Sequence, residues 1–286
     1  MTRLSALAAR LRGAWRYLTP RGQQVAVTAA ALLLLALVAV VQTATREPQR
    51  VERGSVEKPR GTSSGAAKQG SDTACPTPAK RRVKRGPKRE RLVALTFDDG
   101  PGPFTDPLRR VLREHDAHAT FFVVANTLPE RPDEVRALVR DGNEIGNHSL
   151  AHADLRAMAR GASADMRTAN RAIVRAGAHQ PCVFRPPYGA FDRKLVDRAR
   201  RLGMTTVTWS VDSRDYAGDG GRQIAKTVLD EVEPGSIVLM HDAGGVSRKP
   251  TVRATDRILR KLRARGYRVV TLSDLLAQGP RARRRP

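Results

Sequence analysis

The sequence predicts an α/β fold in which parallel βα units close into a barrel. Beyond residue 91, short apolar runs of strand length alternate with amphipathic segments of about ten residues. This alternation is typical of parallel strands joined by helices. Six or seven such units favour closure into a barrel over an open sheet, and the sequence shows no internal repeat. In a parallel barrel, chemically active side chains gather at the carboxyl ends of the strands.

The predicted elements follow one another in a regular order. Strands are predicted at residues 92–97, 119–124, 183–184, 205–211, 236–240 and 267–270. Helices are predicted at residues 106–115, 133–140, 162–176, 191–202, 223–232 and 252–265. The strand segments are short and largely uncharged, as buried strands are. The helical segments repeat apolar residues at a spacing of three or four, as Leu108, Val111 and Leu112 show.

An apolar run near the N-terminus predicts a membrane anchor at residues 25–45. Residues 25–41 are Val, Ala and Leu interrupted by Thr28 alone, and uncharged sequence extends from residue 22 to residue 45. About 20 apolar residues are needed to cross the hydrocarbon core. Five arginines and no acid precede the run, so the positive-inside rule places residues 1–24 in the cytoplasm and the remaining chain outside the cell. The alternative is secretion after signal-peptide cleavage, although a clean A-x-A site is missing.

The segment after the anchor has the composition of a flexible linker. Residues 46–90 are rich in Arg, Lys, Gly, Ser, Pro and Thr, with almost no large apolar side chains. Such a segment buries too little apolar surface to offset the entropy lost on ordering. We therefore expect a disordered basic linker at 46–90, a folded domain at 91–278 and a short basic tail at 279–286.

The net charge of +24 is unevenly distributed. Residues 1–91 carry 19 Lys and Arg against 5 Asp and Glu, whereas residues 92–286 carry 33 against 23. More than half of the positive excess therefore lies outside the predicted domain. A basic chain favours anionic partners. The predicted topology excludes nucleic acid and favours an anionic wall polymer, and a salt-sensitive affinity for DNA would contradict this interpretation.

The two cysteines, Cys75 and Cys182, leave two alternatives open. They form no CxxC motif and no Cys/His cluster, which excludes a zinc finger. In an exported protein they permit one disulfide, which would tie the end of the linker to the segment before Arg185. The alternative is a free thiol at Cys75 and a small buried side chain at Cys182.

Two adjacent carboxylates follow the first predicted strand. Residues 96–101 read Thr-Phe-Asp-Asp-Gly-Pro, which places Asp98 and Asp99 beside a turn. Adjacent carboxylates repel when both are ionised, and a cation bound to one of them would relieve the repulsion. The alternative is a turn that the Asp-Gly-Pro sequence merely caps.

Two histidines lie four residues apart in residues 147–152, Asn-His-Ser-Leu-Ala-His. If this segment is helical, His148 and His152 share one face. Together with a carboxylate they make a His₂Asp ligand set that leaves a position open for water, as catalytic metal sites do. The alternative is a pair of surface histidines.

Three further motifs end predicted strands. Residues 184–189, Phe-Arg-Pro-Pro-Tyr-Gly, combine a rigid turn with Arg185, which requires a carboxylate partner if it is buried. Residues 209–216, Trp-Ser-Val-Asp-Ser-Arg-Asp-Tyr, begin with Trp209, which the pattern assigns to the core rather than to a site. His241 ends the buried run at residues 237–241, the position where parallel barrels carry their chemistry.

In order, TFDDGP, HSLAH, RPPYG, DSRDY and LMH resemble the five motifs of the polysaccharide deacetylases, the NodB-homology domain or carbohydrate esterase family four. The resemblance covers residues 91–276 and implies a distorted (β/α) barrel. It implies hydrolysis of N-acetyl groups on a cell-wall or chitin-like polysaccharide, foremost the N-acetylglucosamine of peptidoglycan. An O-acetyl esterase acting on xylan-type polymers is the alternative. A metal-free binding module of the same fold is disfavoured because every motif position is present.

The resemblance also assigns a metal site and a general base. It implies one divalent ion, usually zinc with cobalt, nickel or manganese as alternatives, held by Asp99, His148 and His152. Asp98 is then the general base that takes a proton from the attacking water, and Arg185 orients it.

The remaining roles implied by the resemblance concern the acid and the substrate. In these roles His241 would protonate the leaving amine, and Asp215 would orient His241 and raise its proton affinity. The metal and the backbone N–H of Tyr188 would hold the oxyanion. The implied substrate-binding residues are Leu239, Tyr216 and Pro187. The family usually has Trp at the position of Tyr216, so the shape of this wall differs and leaves the choice of polymer open. Nothing in the sequence decides the oligomeric state.

Overall fold

The computed structural model describes residues 75–158 and 160–277. The predicted segments at 1–24, 25–45 and 279–286, and residues 46–74 of the predicted linker, lie outside the described residues. Within the described ranges, no helix combines the length and the apolar character that a membrane crossing requires.

A parallel sheet forms the centre of the domain. Its strands are β1 (Leu92–Asp98), β2 (Thr120–Val123), β3 (Glu144–Asn147), β4 (Val183–Phe184), β5 (Thr205–Thr206), β6 (Val211–Asp212), β7 (Ile237–His241) and β8 (Arg268–Val269). The strands pair in the order β5-β4-β3-β2-β1-β7-β6, and β8 pairs with the beginning of β1. Among the described residues no ladder joins β5 to β6, so the predicted barrel is incomplete.

Helices follow the strands, and most of them cover the outer face of the sheet. They are α1 (Thr105–Glu114), α2 (Pro132–Arg140), α3 (Ala162–Arg175), α4 (Arg193–Arg201), α5 (Gly221–Glu231), α6 (Lys249–Ala264) and α7 (Leu272–Ala277). Local signals set their starts: Pro132 opens α2, and the Asp192 side chain caps α4 by accepting a hydrogen bond from Leu195 N–H at 2.7 Å.

Three elements differ from the sequence prediction. The sequence predicts no strand at β3, because Glu-Ile-Gly-Asn carries one large apolar side chain; pairing with β2 and β4 makes it a strand. The sequence also predicts no helix at α7, which is too short to show a helical period. The predicted strand at 205–211 divides into β5 and β6, because the chain crosses to β7, where Ser210 N–H donates to Ile237 O at 3.0 Å.

The side-chain pattern of β1 explains why the polar site lies at one end of the barrel. Its outward residues, such as Leu95 and Phe97, are buried in the core shared with the helices. Successive residues of a strand face opposite sides, so the inward residues are Leu92, Ala94, Thr96 and Asp98. The first two belong to an apolar cluster that α7 closes from below through Leu272 and Leu275. The last two place polar groups at the carboxyl end.

Residues 75–90, here called the edge segment, pack against the domain, although the composition assigned them to a disordered linker. Val83 N–H donates to Thr206 O at 2.9 Å, and Thr208 N–H donates to Val83 O at 2.8 Å. The open side of β5 supplies these unpaired backbone groups, which composition does not reveal. The disulfide left open above is present and joins Cys75 to Cys182.

Candidate active site

The carboxyl ends of five strands bring the predicted motifs to one rim of the barrel. β1 and β7 pair with Asp98 directly opposite His241. The other strands deliver the remaining polar residues at the same edge, because all of these strands run parallel. His148 and Arg185 directly follow β3 and β4, and Asp215 lies three residues after the end of β6.

The turn after β1 lets both neighbouring carboxylates face the site. Asp99 has a φ of 78°, which redirects the chain immediately after the strand. Gly100 is required at the next position, because a Cβ atom there would lie 2.1 Å from Asp242 Oδ2. As a result, Asp98 Oδ2 and Asp99 Oδ1 lie 3.8 and 3.6 Å from the same atom, His148 Nε2.

The segment that carries the two histidines is a loop, so the histidines do not meet through a shared helix face. Ser149 and His152 have positive φ angles of 72° and 54°. Two side chains hold the backbone of this loop: Asn147 Oδ1 accepts from Ser149 N–H at 2.7 Å, and Asp165 Oδ1 accepts from Leu150 N–H at 2.9 Å. The bent loop still brings the imidazole rings to a centroid separation of 5.0 Å.

Asp99, His148 and His152 fit a divalent metal ion. Their ligand atoms lie within 4.8 Å of one another. Asp99 Oδ1 is buried and forms no hydrogen bond with any described residue. His148 Nδ1 lies 2.7 Å from the carbonyl oxygen of Arg185, so this nitrogen carries the proton and Nε2 faces Asp99. Burial lowers the pKa of His148, which favours the neutral imidazole that metals bind.

Arg185 supplies the carboxylate contact that the sequence required of it. Its guanidinium has no solvent exposure, and Nη1 donates to Asp98 Oδ1 and to Thr96 Oγ1, both at 2.7 Å. The guanidinium carbon also lies 4.2 Å from the centroid of the Phe122 ring. Burying a guanidinium costs free energy unless it is paired with a carboxylate, and Asp98 provides that partner. Because Arg185 contacts Oδ1, the other carboxylate oxygen of Asp98, Oδ2, stays free.

Asp215 and His241 form a second pair of residues joined by hydrogen bonds. Asp215 Oδ1 lies 2.7 Å from His241 Nδ1, while Oδ2 accepts from His241 N–H at 3.0 Å and from Thr251 Oγ1 at 2.9 Å. Burial alone would lower the pKa of His241, but the hydrogen bond and charge of Asp215 raise it overall. Burial likewise opposes ionisation of Asp215, yet His241 and the charge of Arg248 keep its pKa below the usual range.

Two tyrosines lie at the rim, each against a histidine of the site. The Tyr188 ring is 71% exposed and lies 4.6 Å from the His152 ring. The Tyr216 ring lies 5.8 Å from the His241 ring at an interplanar angle of 89°, and its hydroxyl donates to Asp212 Oδ2 at 3.1 Å. The two aromatic rings therefore lie beside the polar residues of the site.

The loop that holds Tyr188 presents a backbone donor. Tyr188 has a φ of 61°, and the first hydrogen bonds of its 3₁₀ turn are donated by Gly189 N–H and Ala190 N–H. The Tyr188 N–H precedes them and stays outside the bonding of the turn. Pro187 is buried beneath this turn, and the half-buried Trp209 packs against Gly189, where a Cβ would lie 2.7 Å from its ring. Strained backbone of this kind clusters at functional sites.

Leu239 lies on the same inward face of β7 as His241, two residues before it. It is 4% exposed and is the register partner of Thr96 on β1 and of Asp212 on β6. The predicted substrate-binding side chain is therefore placed below the acid candidate.

Sequence reasoning missed the buried polar residues that support the site. Thr96 interrupts an apolar strand, which is the signal that could have identified it. Asp242 follows His241 and is fully buried; its hydrogen-bond donor is Thr105 Oγ1. Burial, reinforced by the nearby Asp99 charge, raises the pKa of Asp242 to about 7. No local pattern marks the further supports Thr208, Arg248 and Thr251.

Comparison with known proteins identifies the family. Residues 85–207 match the family model described as polysaccharide deacetylase. A peptidoglycan-N-acetylglucosamine deacetylase of Bacillus cereus is 36% identical over 198 residues, which cover 66% of this chain and 90% of the relative. A chitooligosaccharide deacetylase of Bradyrhizobium sp. is 37% identical over 198 residues, covering 65% of this chain and 90% of the relative.

A solved structure agrees with these relatives. It is a peptidoglycan N-acetylglucosamine deacetylase in complex with 4-naphthalen-1-yl-N-oxidanyl-benzamide, and it superposes with a TM-score of 0.66 at 31% identity. The match covers 68% of this chain and 92% of the other. The family predicted from the five motifs is thereby confirmed: the chain belongs to the polysaccharide deacetylases.

Proposed function

We propose that the domain hydrolyses N-acetyl groups of a cell-wall polysaccharide and releases acetate, with the N-acetylglucosamine of peptidoglycan as its substrate. One observation carries the proposal: a base candidate and an acid candidate, Asp98 and His241, are register partners beside the three-ligand set. The names of the relatives, which specify peptidoglycan and chito-oligosaccharides, support the same reaction.

Asp98 is placed to act as the general base. Its Oδ1 is occupied by Arg185 at 2.7 Å, so Oδ2 is the oxygen that faces the metal ligands and can accept a proton. The buried guanidinium holds the carboxylate in one orientation toward the water that attacks the acetyl carbonyl. General-base catalysis requires such a fixed approach within hydrogen-bond reach.

His241 is placed to act as the general acid. An amine is a poor leaving group unless it is protonated as the C–N bond breaks. Because Nδ1 contacts Asp215, the other ring nitrogen, Nε2, is the one that can deliver a proton to the substrate. The raised pKa keeps the imidazolium populated at a higher pH than an isolated histidine would allow.

The carbonyl oxygen of the acetyl group gains negative charge during attack and needs a donor. The Tyr188 N–H, held at the rim by its strained turn, can donate to this oxygen. A divalent cation held by Asp99, His148 and His152 supplies Lewis-acid polarisation of a carbonyl and activation of water when it is bound.

The experiment that tests the proposal is acetate release by the purified, zinc-supplemented protein. Peptidoglycan, chito-oligosaccharides and acetylated xylan are compared at equal acetyl concentration, with Asp98→Asn as the inactive control. We expect release from peptidoglycan to be fastest. Release confined to acetylated xylan would replace the proposal with the O-acetyl esterase, and no release from any polymer would reject both.

We also propose that the domain works outside the cell, held by a single N-terminal helix at residues 25–45 with residues 1–24 in the cytoplasm. The charge asymmetry around the apolar run supports this topology. The Cys75–Cys182 disulfide supports an oxidising compartment. Protease treatment of intact cells should degrade the domain without lysis; protection until lysis would contradict the topology, and domain in the medium would indicate cleavage.

A further inference from the structure

Two cationic side chains of the described residues are buried, Arg185 and Arg248, with exposures of 0% and 3%. Arg185 contacts Asp98, the base candidate. Arg248 precedes α6 and lies beside the other half of the acid–base pair. The sequence motifs include the first of these arginines and omit the second.

The contacts of Arg248 are made with backbone oxygens. Its Nη1 donates to the carbonyl oxygen of Asp215 at 3.1 Å, and its Nε donates to the carbonyl oxygen of Ala243 at 3.0 Å. Within the described part of the chain no carboxylate lies at ion-pair distance from it. A desolvated guanidinium without a direct carboxylate partner is costly to bury, so its position calls for a reason.

The first contact fixes the residue that orients the acid. Asp215 lies in a short 3₁₀ turn that follows Arg214, a non-glycine residue with a φ of 56°. Arg248 holds the carbonyl of this turn, and Thr251 holds carboxylate oxygen Oδ2 at 2.9 Å. Both supports come from the beginning of α6, so one rigid element sets the direction in which Asp215 Oδ1 meets His241.

The second contact fixes the loop between β7 and α6. Arg248 bonds back to Ala243, which closes residues 243–248 into a compact turn. Gly244 in this turn has a φ of 71° and approaches Asp99 so closely that a Cβ would lie 2.7 Å from Asp99 Oδ2. The same side chain therefore holds backbone against both Asp215 and the neighbourhood of Asp99.

We propose that Arg248 is a positioning residue for the general acid: through the carbonyl of Asp215 it holds the Asp215 carboxylate against His241. The inference rests on the proposed function, because it assigns a role within that reaction. The charged and titratable groups that face His241 are Asp215 and Tyr216 from the turn after β6, and Asp98 and Asp99 from the end of β1.

The variants are Arg248→Met, Arg248→Lys and Thr251→Val, with the exposed Arg253→Met on the same helix as the matched control. For Arg248→Met we expect kcat on the N-acetylated polymer to fall by about 10- to 100-fold while KM changes by less than about twofold. Arg248→Lys should recover part of the loss, because it keeps the charge without the two-pronged geometry. Arg253→Met should have the kcat and the KM of the parent protein.

The decisive readout is the titration of His241, followed by NMR of its imidazole in the zinc-loaded protein and assigned with His241→Gln. If Arg248 positions Asp215, its loss weakens the Asp215–His241 contact and lowers the pKa of His241. A through-space effect has the opposite sign, because removing a nearby positive charge would raise that pKa. A raised or unchanged titration midpoint in Arg248→Met therefore overturns the proposal.

A variant that does not fold and a failure of the proposed function can each be distinguished from a failure of this inference. If Arg248→Met does not fold, Arg248→Lys decides the question through the same titration, because it keeps the charge and loses the paired contacts to Asp215 and Ala243; an unchanged midpoint overturns the proposal. If the parent protein releases no acetate from any polymer, the proposed function fails, whereas the NMR titration still decides whether Arg248 positions Asp215.

Discussion

Asp98 and His241 are direct register partners on the neighbouring parallel strands β1 and β7. Neighbouring strands are about 4.8 Å apart, so a base and an acid placed in this way face one acetyl group from adjacent positions. Each residue has its own buried support: Arg185 for Asp98, and Asp215 with Thr251 for His241. The sheet thus holds the proposed proton acceptor and the proposed proton donor side by side.

Replacing Asp98 by Asn should remove the base and leave the metal site intact. The amide is nearly isosteric with the carboxylate that it replaces, and none of Asp99, His148 and His152 is changed. We expect kcat to fall by about 10²- to 10⁴-fold, with metal content, measured by elemental analysis, equal to that of the parent protein. Loss of the metal in this variant would show that Asp98 is a ligand instead.

His241→Ala should impair the two kinds of substrate unequally. An N-acetyl group needs a protonated leaving amine, whereas an aryl acetate releases a stable phenolate without one. We expect about a 10²-fold or larger loss in kcat/KM on the N-acetylated polymer and a much smaller loss on the aryl ester. Equal losses on both would assign His241 to the structure or to oxyanion binding.

The activity should decline on the alkaline side as His241 loses its proton. Burial opposes the charge of His241, but Asp215 outweighs burial and raises the pKa above the ordinary value of 6.5. The active imidazolium is therefore present below the raised pKa and is lost as the pH rises through it. Asp215→Asn should move the alkaline limb of kcat to lower pH; a limb that stays in place would exclude His241 as its origin.

The same shift affects stability with a defined sign. A folded-state pKa above the unfolded value contributes stability that is complete below the unfolded pKa and disappears as pH rises through the folded one. The check is urea unfolding of the parent protein and of Asp215→Asn, measured at a pH below the unfolded-state pKa of His241 and at a pH above its folded-state pKa.

Metal removal should abolish turnover reversibly. One ligand set is formed by Asp99 Oδ1, which is buried and accepts no hydrogen bond from any described residue, and the imidazoles of His148 and His152. We expect about one divalent ion per domain, loss of activity with a chelator, and recovery when zinc is restored. His152→Ala should lower metal affinity in calorimetry, while His115→Ala, outside the site, should not. Full activity in protein stripped of metal would refute the assignment.

The Cys75–Cys182 disulfide should stabilise the domain. It closes a sequence separation of 107 residues, and a crosslink of this kind typically contributes about 2–4 kcal/mol by restricting the unfolded chain. The double variant Cys75→Ser, Cys182→Ser should unfold at lower urea concentration than the parent protein. Reduction should lower the urea concentration at which the parent protein unfolds and leave that of the double variant unchanged. Two free thiols in exported protein would contradict the bridge.

Sequence patterns were sufficient for the order of most strands and helices, because apolar runs and helical periods are local properties. They also identified the polar residues that end the strands, since parallel units bring those ends to one rim. Local patterns failed where hydrogen bonding to distant residues decides the conformation. The loop after β3 is held by Asp165, which accepts from Leu150 N–H fifteen residues away, and the edge segment is ordered because the free side of β5 pairs with Val83.

The sequence by itself determined the family and predicted the metal ligands, the base and the acid, because these depend on residue type and order. Tertiary structure alone decided which further residues support these groups. Arg185 meets Thr96 across 89 positions of chain, and Thr251 meets Asp215 across 36. Such contacts arise when strands and helices pack, and no short-range pattern encodes them. For this reason Thr96, Arg248 and Thr251 became visible as supports of the site only in the folded domain.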